Sequence, residues 1–195
     1  PQKTLLMQQH WIGKSEGTEV TFELVDANGK PLNEKIAVFT TRVDTLFSCA
    51  FLSLAPEHTL VKKLTTPEHK QDMEAYQEAA RRKTDIDRTA EDKEKTGVFT
   101  GSFGINPINN ERIPVWVGDF VLVHYGTGAI FGDAHDARDF VFAKKYKIPL
   151  KTSICPADST DADKIKNLEI CFKEEGVLYN SAEFDGMTSS QARNA

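Results

Sequence analysis

Two short stretches of the sequence carry groups able to handle a polar, charged ligand. Thr40-Thr41-Arg42-Val43-Asp44-Thr45 places hydroxyls, a guanidinium and a carboxylate side by side at the end of an apolar run. Such a set can line a small polar pocket and orient water or a sugar. An ordinary strand-to-turn junction, with Asp44 and Thr45 capping the next element, uses the same residues, so this stretch alone leaves both readings open. The second stretch, His135-Asp136-Ala137-Arg138-Asp139, comes after the glycine turn Gly126-Thr127-Gly128. A histidine beside two aspartates offers donors to a metal. Local capping competes with that role: Asp136 stands where a helix N-cap belongs and Asp139 three residues later, so both acids could simply satisfy orphan amides. On spacing alone, capping outweighs a metal or catalytic role.

Other chemistries lack their parts. Gly13-Lys14-Ser15 resembles the end of a phosphate-binding loop, but Gln8 stands where the first glycine is required and His10, Trp11 and Ile12 fill the cradle. His10, His58, His69, His124 and His135 are dispersed, and the sequence contains no G-x-S-x-G, C-x-x-C or H-E-x-x-H pattern. No metal site is expected.

The elements that must hold these residues are set by periodicity. Glu19 to Val25 alternates, with Val20, Phe22 and Leu24 on one face, and Asp26-Ala27-Asn28-Gly29 supplies turn chemistry, which predicts a hairpin strand. Lys35–Thr41 and Phe47–Leu54 are two further β-prone runs, joined by the short polar connector that carries Arg42 and Thr45. Thr66-Pro67-Glu68 starts a helix that runs to about Lys83, burying Met73, Tyr76 and Ala80. The charged segment Thr84–Lys95 reads as a solvated helix or surface segment. Beyond Gly97, short β-prone pieces at 98–100, 112–117, 120–124 and 129–131 are punctuated by Gly and Pro. A helix is expected over Ala137–Tyr146, a strand at Leu150–Cys155, a short polar helix or loop at Thr160–Asn167 and a β-prone run at Leu168–Phe172. The spacing predicts a mixed α/β fold in which a β-barrel-like central sheet is surrounded by helices.

Composition narrows the class. The 195 residues suit a single domain, and the net charge of −5 argues against a freestanding duplex-DNA binder. No apolar run approaches the roughly 18–20 residues of a membrane span, and the odd, widely spaced Cys49, Cys155 and Cys171 do not form a disulfide framework. A soluble protein of a reducing compartment is expected. The chain opens at Pro1 and closes just after Thr188 and Gln191, a helix-start pair, so it is expected to be a piece of a longer polypeptide.

Taken together, Trp11–Gly17 (WIGKSEG), Phe39–Thr45 (FTTRVDT), Lys83–Gly101 (KTDIDRTAEDKEKTGVFTG), Ile105-Asn106-Pro107, Ile113–Val117 (IPVWV), Tyr125–Ala129 (YGTGA), His135–Phe140 (HDARDF) and Gly176–Gly186 (GVLYNSAEFDG) resemble the editing domain (connective polypeptide 1) of bacterial or mitochondrial leucyl-tRNA synthetases. The stretches occur in family order across nearly the whole chain, residues 1–195, as one domain of a longer class I synthetase. Two positions depart from the pattern: Val43 replaces the usual proline, and Phe131-Gly132-Asp133-Ala134 is one residue shorter than the common loop before His135. Both bear on the wall of the amino-acid pocket.

The resemblance implies hydrolysis of tRNA-Leu charged with norvaline, isoleucine or methionine. It implies that the residue matching Thr45 obstructs leucine and that the residue matching Asp139 holds the substrate's α-ammonium. Thr40 and Thr41 would line the site near the ester and the terminal adenosine, as catalytic positions with Asp139. Arg42, Asp44, Tyr125, Phe131, His135, Asp136 and Arg138 would contact substrate together with Thr45. No cofactor is implied, since ATP and Mg would belong to the synthetic domain. The implied partners are the 3′ end of mischarged tRNA-Leu and the rest of the synthetase, with no membrane, as a monomer in the cytoplasm or mitochondrial matrix. The competing expectations are a catalytically inactive module that binds tRNA or a partner protein, and a metal-dependent hydrolase using His135, Asp136 and Asp139.

Overall fold

The computed structural model describes residues 16–90, 93–157 and 160–195; Gly13-Lys14-Ser15 and most of the Trp11–Gly17 stretch lie outside them. The hairpin forms where alternation and turn chemistry place it. β1 (Thr18–Val25) pairs antiparallel with β2 (Pro31–Thr40). Asp26 closes the turn by accepting the amides of Asn28 at 2.8 Å and Lys30 at 2.9 Å, and Gly29 takes the left-handed φ of 83° that a side chain resists.

β3 (Phe51–Leu54), β4 (Gly97–Ile105), β5 (Arg112–Gly118) and β6 (Ala129–Gly132) complete a sheet of order β2-β1-β4-β5-β3-β6. Among the described residues only β3 and β5 run parallel. The register of β4 slips between Phe99 and Phe103 around Gly101, at φ 88°, where the strand bends over Thr66. The sheet curls until its edge strands β2 and β6 meet, the barrel-like closure expected from the density of short strands.

Both faces of the sheet are covered. Phe22, Leu24, Val38, Leu52, Leu54 and Val115 fill the interior, closed by α1 (Val61–Leu64) and α2 (Lys70–Arg81). On the outside, Phe51 meets Phe142 at 4.8 Å between ring centroids, fastening α4 (Ala137–Lys145) to the back of β3. α3 (Asp85–Thr89) carries a capping box between Thr84 and Asp87 within the segment read as solvated. α5 (Ala162–Lys166), the two-stranded β7 (Ile154–Cys155) with β8 (Val177–Leu178), and α6 (Ser189–Asn194), capped by Thr188 and Gln191, lie toward the C-terminal end.

Four expected elements differ, each because local geometry or a side chain took over the backbone. Phe47 and Ser48, expected to start a strand, instead end a 3-10 turn over Val43–Ser48: the Ser48 hydroxyl donates to the Thr45 carbonyl at 2.7 Å. Phe120–His124 is a run of turns, in which Arg88 occupies the carbonyls of Asp119 and Val121 that a strand would pair. The strand expected over 150–155 is reduced to two residues, since the amides of Ser153 and Ile154 point to the His135 ring. Leu168 adopts φ 59° at the end of α5, so the run after it forms no strand. Thr66, expected to cap the long helix, makes no side-chain cap bond there, and Pro67–His69 form a 3-10 turn before α2.

Candidate active site

Where β2 ends, the chain must turn sharply without losing its polar groups. The Arg42 amide donates to Thr40 Oγ1 at 3.0 Å, and the Thr45 amide donates to the Arg42 carbonyl at 3.1 Å, which winds Val43–Ser48 into the 3-10 turn. Asp44 points away from the cavity that its neighbours line. Its side chain is fully buried and receives Arg42 through Nε at 3.1 Å and Nη2 at 3.1 Å, with Arg193 of α6 at 3.4 Å behind it. Asp44 therefore aims Arg42, whose Nη1 also donates to the Lys173 carbonyl at 3.2 Å.

The Thr45 side chain is almost fully buried. Its hydroxyl lies 2.6 Å from Asp133 Oδ2 and 2.9 Å from the Arg42 carbonyl, so its single proton is contested by two acceptors and the side chain is held in one rotamer. Asp133, in the short loop after β6, also accepts the His135 amide at 2.6 Å. Burial pushes Asp133 up to about 6 against the pull of the Thr45 hydroxyl and the His135 amide.

His135 has no free nitrogen. Nδ1 lies 2.8 Å from the Phe172 carbonyl, an acceptor only, so it carries the proton, and Nε2 accepts the amides of Ser153 at 3.1 Å and Ile154 at 3.3 Å. Burial lowers its pKa, which keeps the ring neutral. Asp136 caps α4 as its spacing suggested, accepting the amides of Arg138 at 2.8 Å and Asp139 at 3.1 Å. Asp139 has a different role. Its carboxylate does not reach back to the cap but pairs with Lys95 Nζ at 2.6 Å. Burial pushes it up to about 7, opposed by Lys95 and reinforced by Asp136 and Asp133.

These groups converge on a cavity of about 680 Å³. Thr40, Thr41, Arg42, Thr45, Tyr125, Phe131, His135, Asp136, Arg138 and Asp139 all line it; Asp44 instead borders a hollow on the other side of the turn with Phe47 and Arg193. Thr45 and Asp139, 94 positions apart in sequence (139 − 45), thus face one space. Lys95, Asp133 and Lys173 line it as well, and none of them is expected from sequence to have a role at the site, although Lys95 falls within the Lys83–Gly101 stretch. Lys95 sits in a charge run that reads as solvent-facing, and Asp133 in a loop with no motif of its own. A second hollow of about 410 Å³ adjoins the first, sharing Lys95, Tyr125, Ile130 and Arg138 as its divide. Tyr125 stands 81% exposed at this rim.

The arrangement suits a ligand with a cationic and an anionic end. Asp133, Asp136 and Asp139 supply negative charge, while Arg42, Lys95, Arg138 and Lys173 supply positive charge. It is poorly equipped for covalent catalysis, since His135, the histidine that lines it among the described residues, is committed to main chain. Cys171, whose thiol donates to the Ala134 carbonyl at 3.3 Å, is pushed up to about 11 by burial and the nearby acids, and so is protonated at neutral pH.

Proteins of known family carry closely related sequences. The chain is 47% identical over 196 aligned positions to a leucine–tRNA ligase of Clostridium botulinum, 48% identical over 194 to that of Clostridium beijerinckii and 45% identical over 194 to that of Dehalococcoides mccartyi. It is covered almost completely in each case but spans only 22–23% of the relatives' length. Among solved structures, the ternary complex of Agrobacterium radiobacter K84 agnB2 LeuRS with tRNA and LeuAMS superposes with a TM-score of 0.64 at 33% identity, over 87% of this chain and 20% of that one. The family model described as leucyl-tRNA synthetase, editing domain, matches residues 9–195, and on that match and those identities the chain belongs to the editing domains of leucyl-tRNA synthetases.

Proposed function

We propose that this chain hydrolyses the ester of tRNA-Leu that carries norvaline, isoleucine or methionine in place of leucine, as one editing unit within a longer leucine–tRNA ligase. The observation that carries the reading is the shared cavity of Thr45 and Asp139, which joins a tethered side chain to a carboxylate that is not used as a helix cap. A synthetic site separates amino acids differing by one methyl by only about 1–3 kcal/mol, so a second sieve is needed. Thr45 is placed to exclude leucine by shape, and Asp139 to hold the α-ammonium common to every amino acid.

The reaction asks little of the protein. An aminoacyl ester is already activated; water adds to its carbonyl carbon, the carbon–oxygen bond to the ribose breaks, and the ribose oxygen leaves with a proton as the free amino acid departs. The hydroxyls of Thr40 and Thr41 orient the ester and water, and Arg42 and Arg138 take up the negative charge of the incoming 3′ end. The exposed Tyr125 offers a face on which a terminal base stacks. No cofactor is needed in this unit, which acts as a monomer in the cytoplasm or mitochondrial matrix and receives only the single-stranded tRNA end, consistent with its net charge of −5.

The test is deacylation of Ile-tRNA-Leu by the full-length synthetase and by its Asp139→Ala variant. Hydrolysis that disappears in the variant is expected. No hydrolysis by either protein would make this chain a tRNA- or partner-binding module instead, and loss of activity on exhaustive chelation would favour a metal-dependent reaction.

A further inference from the structure

The carboxylate proposed to receive the substrate's ammonium already holds one cation. Lys95 Nζ lies 2.6 Å from Asp139 Oδ1, and the two side chains are only 11% and 9% exposed. This is no surface pair formed by two flexible chains. The backbone that delivers Lys95 is pinned at the next two residues: the Thr96 carbonyl accepts the Tyr76 hydroxyl at 2.7 Å, and the Gly97 amide donates to the Tyr146 hydroxyl at 3.1 Å. Gly97 also lies too close to the Val117 carbonyl and the Phe142 ring to admit a side chain without displacing them. Nζ itself sits 4.4 Å from the centroid of Phe120.

Lys95 takes Oδ1 alone, and among the described residues Oδ2 has no hydrogen-bond partner although Asp139 lines the cavity. A carboxylate accepts at both oxygens, so two ammonium groups can share it. The charged groups around Asp139 are Lys95 from the segment before β4, Asp133 from the loop after β6 and Asp136 from the start of its own helix. Arg138, with Nε 3.9 Å from Asp136, and Arg42, which acts on Asp133, face the other two acids, so Oδ2 of Asp139 is the carboxylate oxygen left open to a second cation.

We infer that Lys95 is the positioning residue of the ammonium seat: it grips Oδ1 of Asp139 and fixes the carboxylate so that Oδ2 is presented to the α-ammonium of the mischarged amino acid. The inference rests on the proposed role of Asp139 as the ammonium's partner. Without Lys95, burial and the two neighbouring acids act on Asp139 unopposed, and its pKa rises above the value of about 7 it has in the pair, so the carboxyl is neutral over more of the neutral range. A neutral carboxyl is a poor partner for an ammonium group.

Single-turnover deacylation of Ile-tRNA-Leu by the full-length synthetase between pH 6 and pH 9.5 tests this, using Lys95→Met, Lys95→Arg and Asp139→Ala, with thermal melting of each variant to report folding. The expected result is that Lys95→Met lowers kcat/KM about tenfold or more at pH 7 and moves the acid limb of the profile upward by about one pH unit. Activity should recover toward about pH 8 as Asp139 ionises, above which the substrate's own α-ammonium deprotonates, and Lys95→Arg should restore most of the neutral-pH rate. A wild-type rate and profile in Lys95→Met, or a faster rate, would overturn the inference. So would an equal loss at every pH that arginine does not repair, because that is the mark of a merely structural residue. If Asp139→Ala abolishes editing while Lys95→Met is silent, only the role of Lys95 fails; if Asp139→Ala is silent too, the ammonium seat itself fails.

Discussion

Replacing Thr45 by alanine and by valine separates the two things its side chain does. Alanine removes the hydroxyl and the methyl together, whereas valine keeps the branched shape and removes only the hydroxyl. If the gate is steric, alanine opens space for about one methyl group, the part of leucine that the site must refuse. A methyl accommodated in an apolar pocket is worth about 1–3 kcal/mol, or roughly 10- to 200-fold in rate. Hydrolysis of correctly charged Leu-tRNA-Leu by the full-length Thr45→Ala enzyme should rise by that factor. Valine should keep Leu-tRNA-Leu protected at close to the wild-type level, because a β-branched side chain is stiff at χ1 without help from a hydrogen bond. It should instead cost stability: Asp133 Oδ2, now 2.6 Å from the Thr45 hydroxyl in a site 7% exposed, loses a donor, and an unsatisfied buried acceptor costs about 1–3 kcal/mol. The assay is release of labelled leucine from pre-charged tRNA in the absence of ATP. Equal leakage by alanine and valine would refute a steric gate and place the exclusion in the Thr45–Asp133 bond; protection by both would remove Thr45 from the gate.

Three further outcomes are expected. Asp139→Ala should lower deacylation of Ile-tRNA-Leu by at least about two orders of magnitude, since an ion pair in a desolvated site is worth several kcal/mol to the bound state, and it should leave α4 folded because Asp136 alone caps it; an unchanged rate by single-turnover assay would contradict the assignment. Asp44→Asn should raise KM for mischarged tRNA more than it lowers kcat, because Arg42 loses the fully buried charge that aims it; a pure kcat effect would place Asp44 elsewhere in the mechanism. Stability should depend on pH with a defined sign. Asp133 and Asp139 are raised from 3.8 to about 6 and about 7, so the folded chain binds their protons more tightly than the unfolded one. Their contribution is fully present below about pH 4 and is lost as pH rises through 6 and 7, at up to about 1.4 kcal/mol per pH unit for each group. Hydrogen-exchange protection of β3 and β5 amides in the full-length protein, corrected for intrinsic rate, should fall across that window, and a rise would show that the pair with Lys95 dominates.

The features legible in the sequence were local or apolar. The β1–β2 hairpin, the cap at Asp136 and the buried stripe of Met73 and Ala80 each come from a period or from capping chemistry within one turn. Two of the missed strands share one physical cause. At Phe120–His124 and Leu150–Cys155, apolar runs that satisfy the pattern of a strand have backbone groups in or beside them claimed by Arg88 and His135, residues 31 and 18 positions away from the groups they bind. No window of periodicity contains that information, because the competition between a ladder bond and a side-chain bond is decided only once the chain is folded.

The candidate site divides along the same line. Residues whose chemistry stood out in a short polar cluster were legible, while the roles of Lys95 and Asp133 were not, although they are direct partners of Asp139 and Thr45. A lysine in the run EDKEKTG looks like one more solvated charge until Tyr76 and Tyr146 fix the backbone after it and turn it inward. Asp133 lies in the loop between β6 and His135, and its carboxylate accepts from both the Thr45 hydroxyl and the amide of His135. That double contact couples the gate to the loop that carries the acid cluster. A change in loop length before His135 should therefore alter which side chains the gate admits even where Thr45 and Asp139 are retained: inserting one residue between Gly132 and Asp133 withdraws the acceptor from Thr45 while leaving the cap at Asp136 intact. Leakage of Leu-tRNA-Leu should then rise without loss of Ile-tRNA-Leu hydrolysis, and simultaneous loss of both activities would show that the loop holds the ammonium seat as well as the gate.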